Sequence, residues 1–220
     1  MKLFKDDTFK YSEISNYEGT CLGLLPSVHK SHVKLNDTAD GHVISTIDFA
    51  AFLNDPVIEA VDFPECIDIV GQRAFEGCRN LKYVFFNGTH NGLVIQNRAF
   101  VDCKLLTGVT ILRPTMVSYE AFRYCSNLRH VDVHASEIKE HAFANCPMLH
   151  TALLTSDSIA IDATAFKNSN KISDIYINGD IKGSVDFIQF LPKNTKIHCK
   201  KDSVLTELVY DGVKIITDIS

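Results

Sequence analysis

The sequence predicts a repeat solenoid: about six stacked units of 21–25 residues, each with one short parallel strand and an irregular return segment, closed by a cap at either end. Three observations predict it. A phrase recurs as Ala74-Phe75-x-x-Cys78, Ala99-Phe100-x-x-Cys103, Ala121-Phe122-x-x-Cys125 and Ala142-Phe143-x-x-Cys146, with weaker copies at Ala51-Phe52 and Ala165-Phe166. The six phenylalanines lie 23, 25, 22, 21 and 23 residues apart. Six positions after each stands an aliphatic residue: Ile58, Leu81, Leu106, Leu128, Leu149 and Ile172. Units this short cannot bury their apolar side chains alone, so neighbours must stack.

The elements follow from further columns. Nine residues after each Phe come Val61, Val84, Val109, Val131, Ala152 and Ile175; eleven after come Phe63, Phe86, Ile111, Val133, Leu154 and Ile177. β-branched residues dominate and alternate with polar neighbours, the pattern of a strand with one buried face. Five residues before each Phe, Ile47, Val70, Ile95, Val117, Ile138 and Ile161 open the return segment. Stacking merges Phe52, Phe75, Phe100, Phe122, Phe143 and Phe166 with the Cys and aliphatic columns into one core, an aromatic ring adding buried area at each step.

The composite phrase I-x-x-x-A-F-x-x-C-x-x-L-x-x-V-x-I resembles the BspA-like class of leucine-rich repeat, also known from treponemal repeat proteins. The resemblance covers residues 43–179, and the lead-in Asp40-Gly41-His42-Val43-Ile44-Ser45-Thr46-Ile47 is similar to the segment that opens such arrays. Asp55 and Ser169 depart from it where Cys is usual, and the proline after the strand is present only as Pro64 and, displaced, Pro114. The resemblance implies a leucine-rich repeat solenoid, classed with α/β folds, and a protein that binds rather than catalyses. Many members are exposed on microbial surfaces.

Residues 1–42 and 180–220 are read as caps, because a solenoid otherwise bares its core at both ends. Phe4, Phe9, Tyr11, Ile14 and Tyr17 supply apolar cover at the N-terminus, before a small hairpin expected over Gly19–Pro26. At the other end Lys196–Cys199 reads as a strand, Asp202 or Ser203 caps a short helix running through Leu205 and Leu208 to Gly212, and Val213–Ile216 reads as a closing strand. No Pro/Gly/Ser-rich linker divides the 220 residues, so one domain is expected.

A net charge of −5 with both signs scattered argues against nucleic acid as a partner. The cluster Lys193, Lys196, Lys200 and Lys201 reads as a solvated cap face. No apolar stretch is long enough to span a membrane, and the N-terminus turns acidic where a signal peptide needs an apolar run. A cytoplasmic location is the expectation, or the cell surface if a leader has been removed.

Cys78, Cys103, Cys125 and Cys146 occupy one place in consecutive turns and so form a line, which cannot converge tetrahedrally on zinc; buried structural thiols are expected. His130, Asp132 and His134 alternate along one strand, with His150 on the next, a grouping read as a polar contact patch rather than a metal site. No catalytic or phosphate-binding motif is present, so no enzyme, cofactor, metal or catalytic residue is predicted. Asn36-Asp37-Thr38 and Asn87-Gly88-Thr89 match the glycosylation pattern, which matters only in a chain secreted from a eukaryotic cell.

The outward strand face carries Ala60, Tyr83, Gly108, His130, Thr151 and Asp174 at eight residues after Phe, and Asp62, Phe85, Thr110, Asp132, Leu153 and Tyr176 at ten. Aromatic and apolar groups stand there among polar ones, as in protein-binding patches. Tyr83, Phe85, Arg129, His130, Asp132, His150, Leu153 and Tyr176 are the expected contacts for a partner protein bound through this strand face, read as the concave one. A free-standing inhibitor or adaptor fits an array with no attached effector domain. The alternative is a microbial surface adhesin or carbohydrate-binding fragment, with Tyr83 and Tyr176 stacking on sugar rings.

Overall fold

The recurring Ala-Phe-x-x-Cys phrase folds as a corner whose every part bonds a neighbouring turn. The computed structural model describes residues 2–15, 18–25, 28–89 and 92–219; Tyr17, Pro26 and the side chain of Phe4 lie outside the described residues. Backbone N–H groups of Phe52, Phe75, Phe100, Phe122 and Phe143 donate to the carbonyls of Ala74, Ala99, Ala121, Ala142 and Ala165 in the next turn, each at 2.8 Å. In the opposite direction, the thiols of Cys78, Cys103, Cys125 and Cys146 donate to the carbonyls of Phe52, Phe75, Phe100 and Phe122 at 3.0–3.3 Å. Ser169 makes the same bond with a hydroxyl, to Phe143 O at 2.8 Å. Asp55 instead turns inward on its own loop and accepts from Val57 and Ile58 N–H.

Between these bonds the rings form a stack. Centroids from Phe52 to Phe166 step by 4.7, 5.2, 5.1, 5.3 and 5.7 Å, with planes inclined by no more than 11°. The neighbouring alanines Ala74, Ala99, Ala121, Ala142 and Ala165 are fully buried, because the corner of the next turn leaves room only for a methyl group, whereas Ala51 in the first copy is half-buried. Each corner also contains left-handed backbone. The second residue after Phe is Asn54, Gly77, Asp102, Tyr124, Asn145 or Asn168, with φ of 56–74°, mostly residue types that tolerate it. Arg73, Arg98 and Glu120, just before Ala-Phe, adopt φ of 55–61° without that tolerance, at roughly 1–2 kcal/mol each. The inter-turn hydrogen bonds offset the strain.

From the corner the chain runs into the expected strands: Ala60–Phe63, Tyr83–Phe86, Gly108–Val117, His130–Ile138, Thr151–Ile161, Asp174–Ile181, Lys196–Cys199 and Lys214–Ile216; His32–Lys34, in the stretch read as cap, is a further strand of the same kind, giving about nine turns among the described residues. Neighbours pair in parallel, with one interruption described below. The return segment, expected to be irregular, is a second parallel ladder. Glu18–Leu24, His42–Ile47, Ile69–Val70 and Leu93–Ile95 pair in order, and the far halves of the longer strands continue them after a register shift at the bend. The aliphatic column from Ile47 to Ile161 is the buried side of this ladder.

Both ladders run beyond residues 43–179. At the N-terminus, Gly19–Leu24 does not fold on itself as a hairpin: Glu18–Leu24 pairs antiparallel with Phe9–Glu13, which pairs with Leu3–Lys5. Phe9 and Tyr11 are buried beneath this meander and Ile14 is exposed. At the C-terminus, the short helix is a single 3₁₀ turn, Val204–Glu207, capped by the Ser203 side chain accepting from Leu205 N–H and ending at Leu208 rather than Gly212. A second 3₁₀ turn, Asp186–Phe190, buries Phe187 and Ile188. Among the described residues no helix is long and apolar enough to cross a membrane.

The interruption lies between Tyr83–Phe86 and Gly108–Val117. His32–Lys34, Ala60–Phe63 and Tyr83–Phe86 form a sheet of their own, so the strand face has a seam. The unit containing it is the longest, 25 residues from Phe75 to Phe100, and none of the described residues between Phe86 and Leu93 is in a strand. Arg113 reaches across that turn. Its fully buried guanidinium donates to Glu65 O at 2.7 Å and Ile67 O at 2.6 Å, two turns back. Burial lowers its pKa from the ordinary arginine value, against the pull of Asp68 and Glu65.

Candidate functional site

Strand pleating puts residues eight, ten and twelve after each Phe on the outer face, so that register alone fixes which side chains are neighbours. Tyr83 and Phe85 leave the core entirely: they are 50% and 47% exposed, with ring centroids 6.2 Å apart and planes inclined by 23°. Beyond the seam, Leu112 is 52% exposed. Together with Asn87, Thr110 and His130 these residues line a groove of about 370 Å³ that runs along the seam. His130 lies on the far wall, its ring folded over Gly108; a Cβ at that glycine would sit 2.4 Å from His130 Nε2. The missing side chain is what lets the imidazole reach the neighbouring strand.

Arg129 and His150 are exposed near His130 but stand just ahead of the strands His130–Ile138 and Thr151–Ile161 rather than in them, so His150 is not on the next strand, contrary to expectation; Asp132 is half-buried one pleat along. Burial raises the Asp132 carboxyl above its ordinary pKa, and His130 pulls it the other way. Leu153 and Tyr176 follow in the same row, both half-buried. Tyr176 is less free than Tyr83, because His198 on the next strand stacks on it at 4.1 Å, inclined by 14°. His198 Nδ1 lies 2.7 Å from Asp218 and Nε2 3.2 Å from Asp174. The eight residues therefore form two groups, an aromatic one at the seam and a polar one that ends in a carboxylate–imidazole cluster.

Sequence reasoning missed Leu112, Gly108 as the seat of His130, and His198. Leu112 stands twelve residues after Phe100, one pleat beyond the two rows weighed. His198 lies on a strand read as cap, although its position in Lys196–Cys199 puts it in the Tyr176 row. Among the described residues no three His, Cys, Asp or Glu side chains are placed so that they could hold a metal ion, His130, Asp132 and His134 included. The ladder thiols are set apart from chemistry: burial pushes Cys78 and Cys146 up to about 12, and Cys103 and Cys125 well above the ordinary thiol range. A larger groove of about 620 Å³ runs between Tyr119 and Lys182, but acidic and basic side chains alternate along it and Tyr119 already packs edge-on against His141.

The model of the BspA type leucine rich repeat region matches residues 45–173 in six copies, and the chain belongs to that family. A leucine rich repeat protein of T. pallidum has a similar structure, with a TM-score of 0.66 at 20% identity, covering 81% of this chain and 86% of that one. A leucine-rich repeat protein of Bacteroides ovatus gives a TM-score of 0.62 at 15% identity, covering 98% of this chain and 67% of that one. At such identities the likeness is one of fold. No curated protein matches the chain.

Proposed function

We propose that the chain is a non-enzymatic protein-interaction module, an inhibitor or adaptor, that binds a partner protein through its concave strand face. The observation that carries this reading is the exposed Tyr83–Phe85 pair beside the seam groove, on a face whose neighbouring positions are polar. Aromatic rings half out of water on rigid strands are the usual anchors of interfaces, and the polar groups around them, Arg129, His130, Asp132 and His150, suit a rim. Leu153 and Tyr176 extend the contact along the row. A reducing compartment such as the cytoplasm suits the buried thiols.

The test is capture from the source cell with the full chain as bait, followed by mass spectrometry. A stoichiometric protein partner retained by the native chain, and lost with Phe85→Ala while Tyr176→Ala weakens it less, is the expected result. A partner indifferent to both substitutions moves the binding site off this face. The carbohydrate reading draws on the same exposed rings; a glycan array that binds the native chain and loses signal with Tyr83→Ala would favour it instead.

A further inference from the structure

The charges on the strand face are not balanced in the way the whole chain is. Over the full sequence acids exceed bases, with a net charge of −5. On the strand face the carboxylates are mostly matched within the face. Asp62 is 3.1 Å from His32 Nε2, Glu59 is 2.9 Å from Lys82 Nζ, and Asp174 and Asp218 flank His198. Asp132 faces His130 and is half-buried. The cations are not matched to the same degree. Among the described residues, Arg129 and Lys214 are exposed and carry no ion pair or side-chain hydrogen bond, and Lys196, though it helps hold the Asp174 carboxyl low, makes no ion pair either. Arg129 belongs to the strand edge next to the groove, whereas Lys196 and Lys214 stand in the His130 row on the last two strands.

Resting on the interaction reading above, we infer that this face takes an acidic protein segment with an apolar anchor. The anchor enters the groove between Tyr83, Phe85 and Leu112, and carboxylates lie across the strands from Arg129 toward Lys196 and Lys214. The geometry suits that occupant for two reasons. Each strand step is about 4.8 Å, so the row from His130 to Lys214 extends over about 19 Å, the reach of a short extended peptide. Tyr83, Phe85 and Leu112 also give the groove its apolar part at a distance from Lys196 and Lys214, so anchor and charge occupy separate parts of one surface. A nucleic acid fits less well, since the cations are too few and too interspersed with carboxylates to track a phosphate backbone. Like charges facing one another across an interface are strongly penalised, so the unmatched cations also exclude basic partners.

The proposal is tested by NMR titration of the isotopically labelled full chain. The probes are three short peptides, each with one phenylalanine flanked by glutamates, by serines or by lysines, and a short oligothymidylate. The glutamate peptide is expected to bind about tenfold more tightly than the lysine peptide at low salt, with the gap closing as salt is raised. Its shifts should centre on Tyr83–Phe86 and Gly108–Ile111. Arg129→Gln should narrow the preference and Arg129→Glu abolish it, while Phe85→Ala weakens all three peptides. Equal affinity for the glutamate and lysine peptides, or a preference for the oligothymidylate, overturns the acidic partner; if the shifts still centre on Tyr83–Phe86, the interaction face itself stands. Shifts confined to other surfaces, or no saturable binding by any probe, remove both.

Discussion

The interior columns and the outer strand face are made by the same turns, yet only one of them repeats. At the corner, Phe, Ala and Cys recur with nearly constant geometry, and where Cys gives way to Ser169 the hydrogen bond survives. On the outer face each turn differs: Tyr83, then Gly108, then His130, then Thr151. Stacking requires each unit to present its neighbours with the same shape, so repetition is the mark of structure. The outer face carries no such requirement. Variation there, especially an aromatic pair half out of water, is what the proposed interaction role rests on.

That contrast is most directly broken by exchanging the penalties of the two regions. Phe122→Ala empties a fully buried site in the middle of the ring stack and should destabilise the protein by about 3–5 kcal/mol in denaturant titration. Phe85→Ala should shift stability by no more than about 0.5 kcal/mol, as surface substitutions do. Equal losses for the two would return Phe85 to the core.

The seam gives the next largest effect. Arg113→Met keeps most of the buried volume but removes the donors that hold Glu65 O and Ile67 O, at an expected loss of about 1.5–3 kcal/mol, the range for hydrogen bonds to charged groups. Amide hydrogen exchange should quicken in Glu65–Ile67 and Tyr83–Phe86 more than in Thr151–Ile161. Uniform quickening would deny Arg113 a local role.

A smaller effect separates thiol from methyl at the corner. Cys125→Ala removes the donor to Phe100 O and should lower stability by roughly 1 kcal/mol, whereas Cys125→Ser keeps a donor, as Ser169 does, and should lose less. Under denaturing, non-reducing conditions the native chain should return seven free thiols, one for each cysteine in the sequence. A persistent disulfide among Cys78, Cys103, Cys125 and Cys146 would contradict the ladder.

The smallest effect is electrostatic. A hydrogen bond from Ser173, supported by His198 and Lys196, holds the Asp174 carboxyl below its ordinary 3.8 against the opposing effect of burial. A carboxyl depressed in the folded state contributes stability that is fully present above its unfolded pKa and is lost as pH falls through the folded value. Asp174→Asn should therefore lower the melting temperature slightly at neutral pH and converge with the native chain in strong acid. Parallel curves across that range would show that Asp174 is not linked to folding.

Much of the stack was legible in residue order. Period and columns gave the turns, the core phenylalanines and cysteines, and the strand Lys196–Cys199 to the residue. The return ladder was not, because pieces as short as Ile69–Val70 carry no periodicity of their own and become strands only by pairing with neighbouring turns. Arg113 was hidden for a related reason. Thirteen residues after each Phe the column reads Glu65, Gly88, Arg113, Ala135, Ser156 and Gly179, and a charge in such a place reads as exposed until the carbonyls that receive it are known. On the strand face, the outward direction of Tyr83 and Phe85 followed from pleating, whereas the loss of Tyr176 to His198 did not.

The sequence by itself determined which side chains face inward, because that depends on local alternation and on a period each unit must share with the next. Only the tertiary structure decided where the stack is interrupted, which buried charge bridges the interruption, and which outward residues remain free in water. Those outcomes depend on contacts between residues one or two turns apart, such as Arg113 with Ile67, His130 over Gly108 and His198 on Tyr176, and local pattern carries no record of such distances.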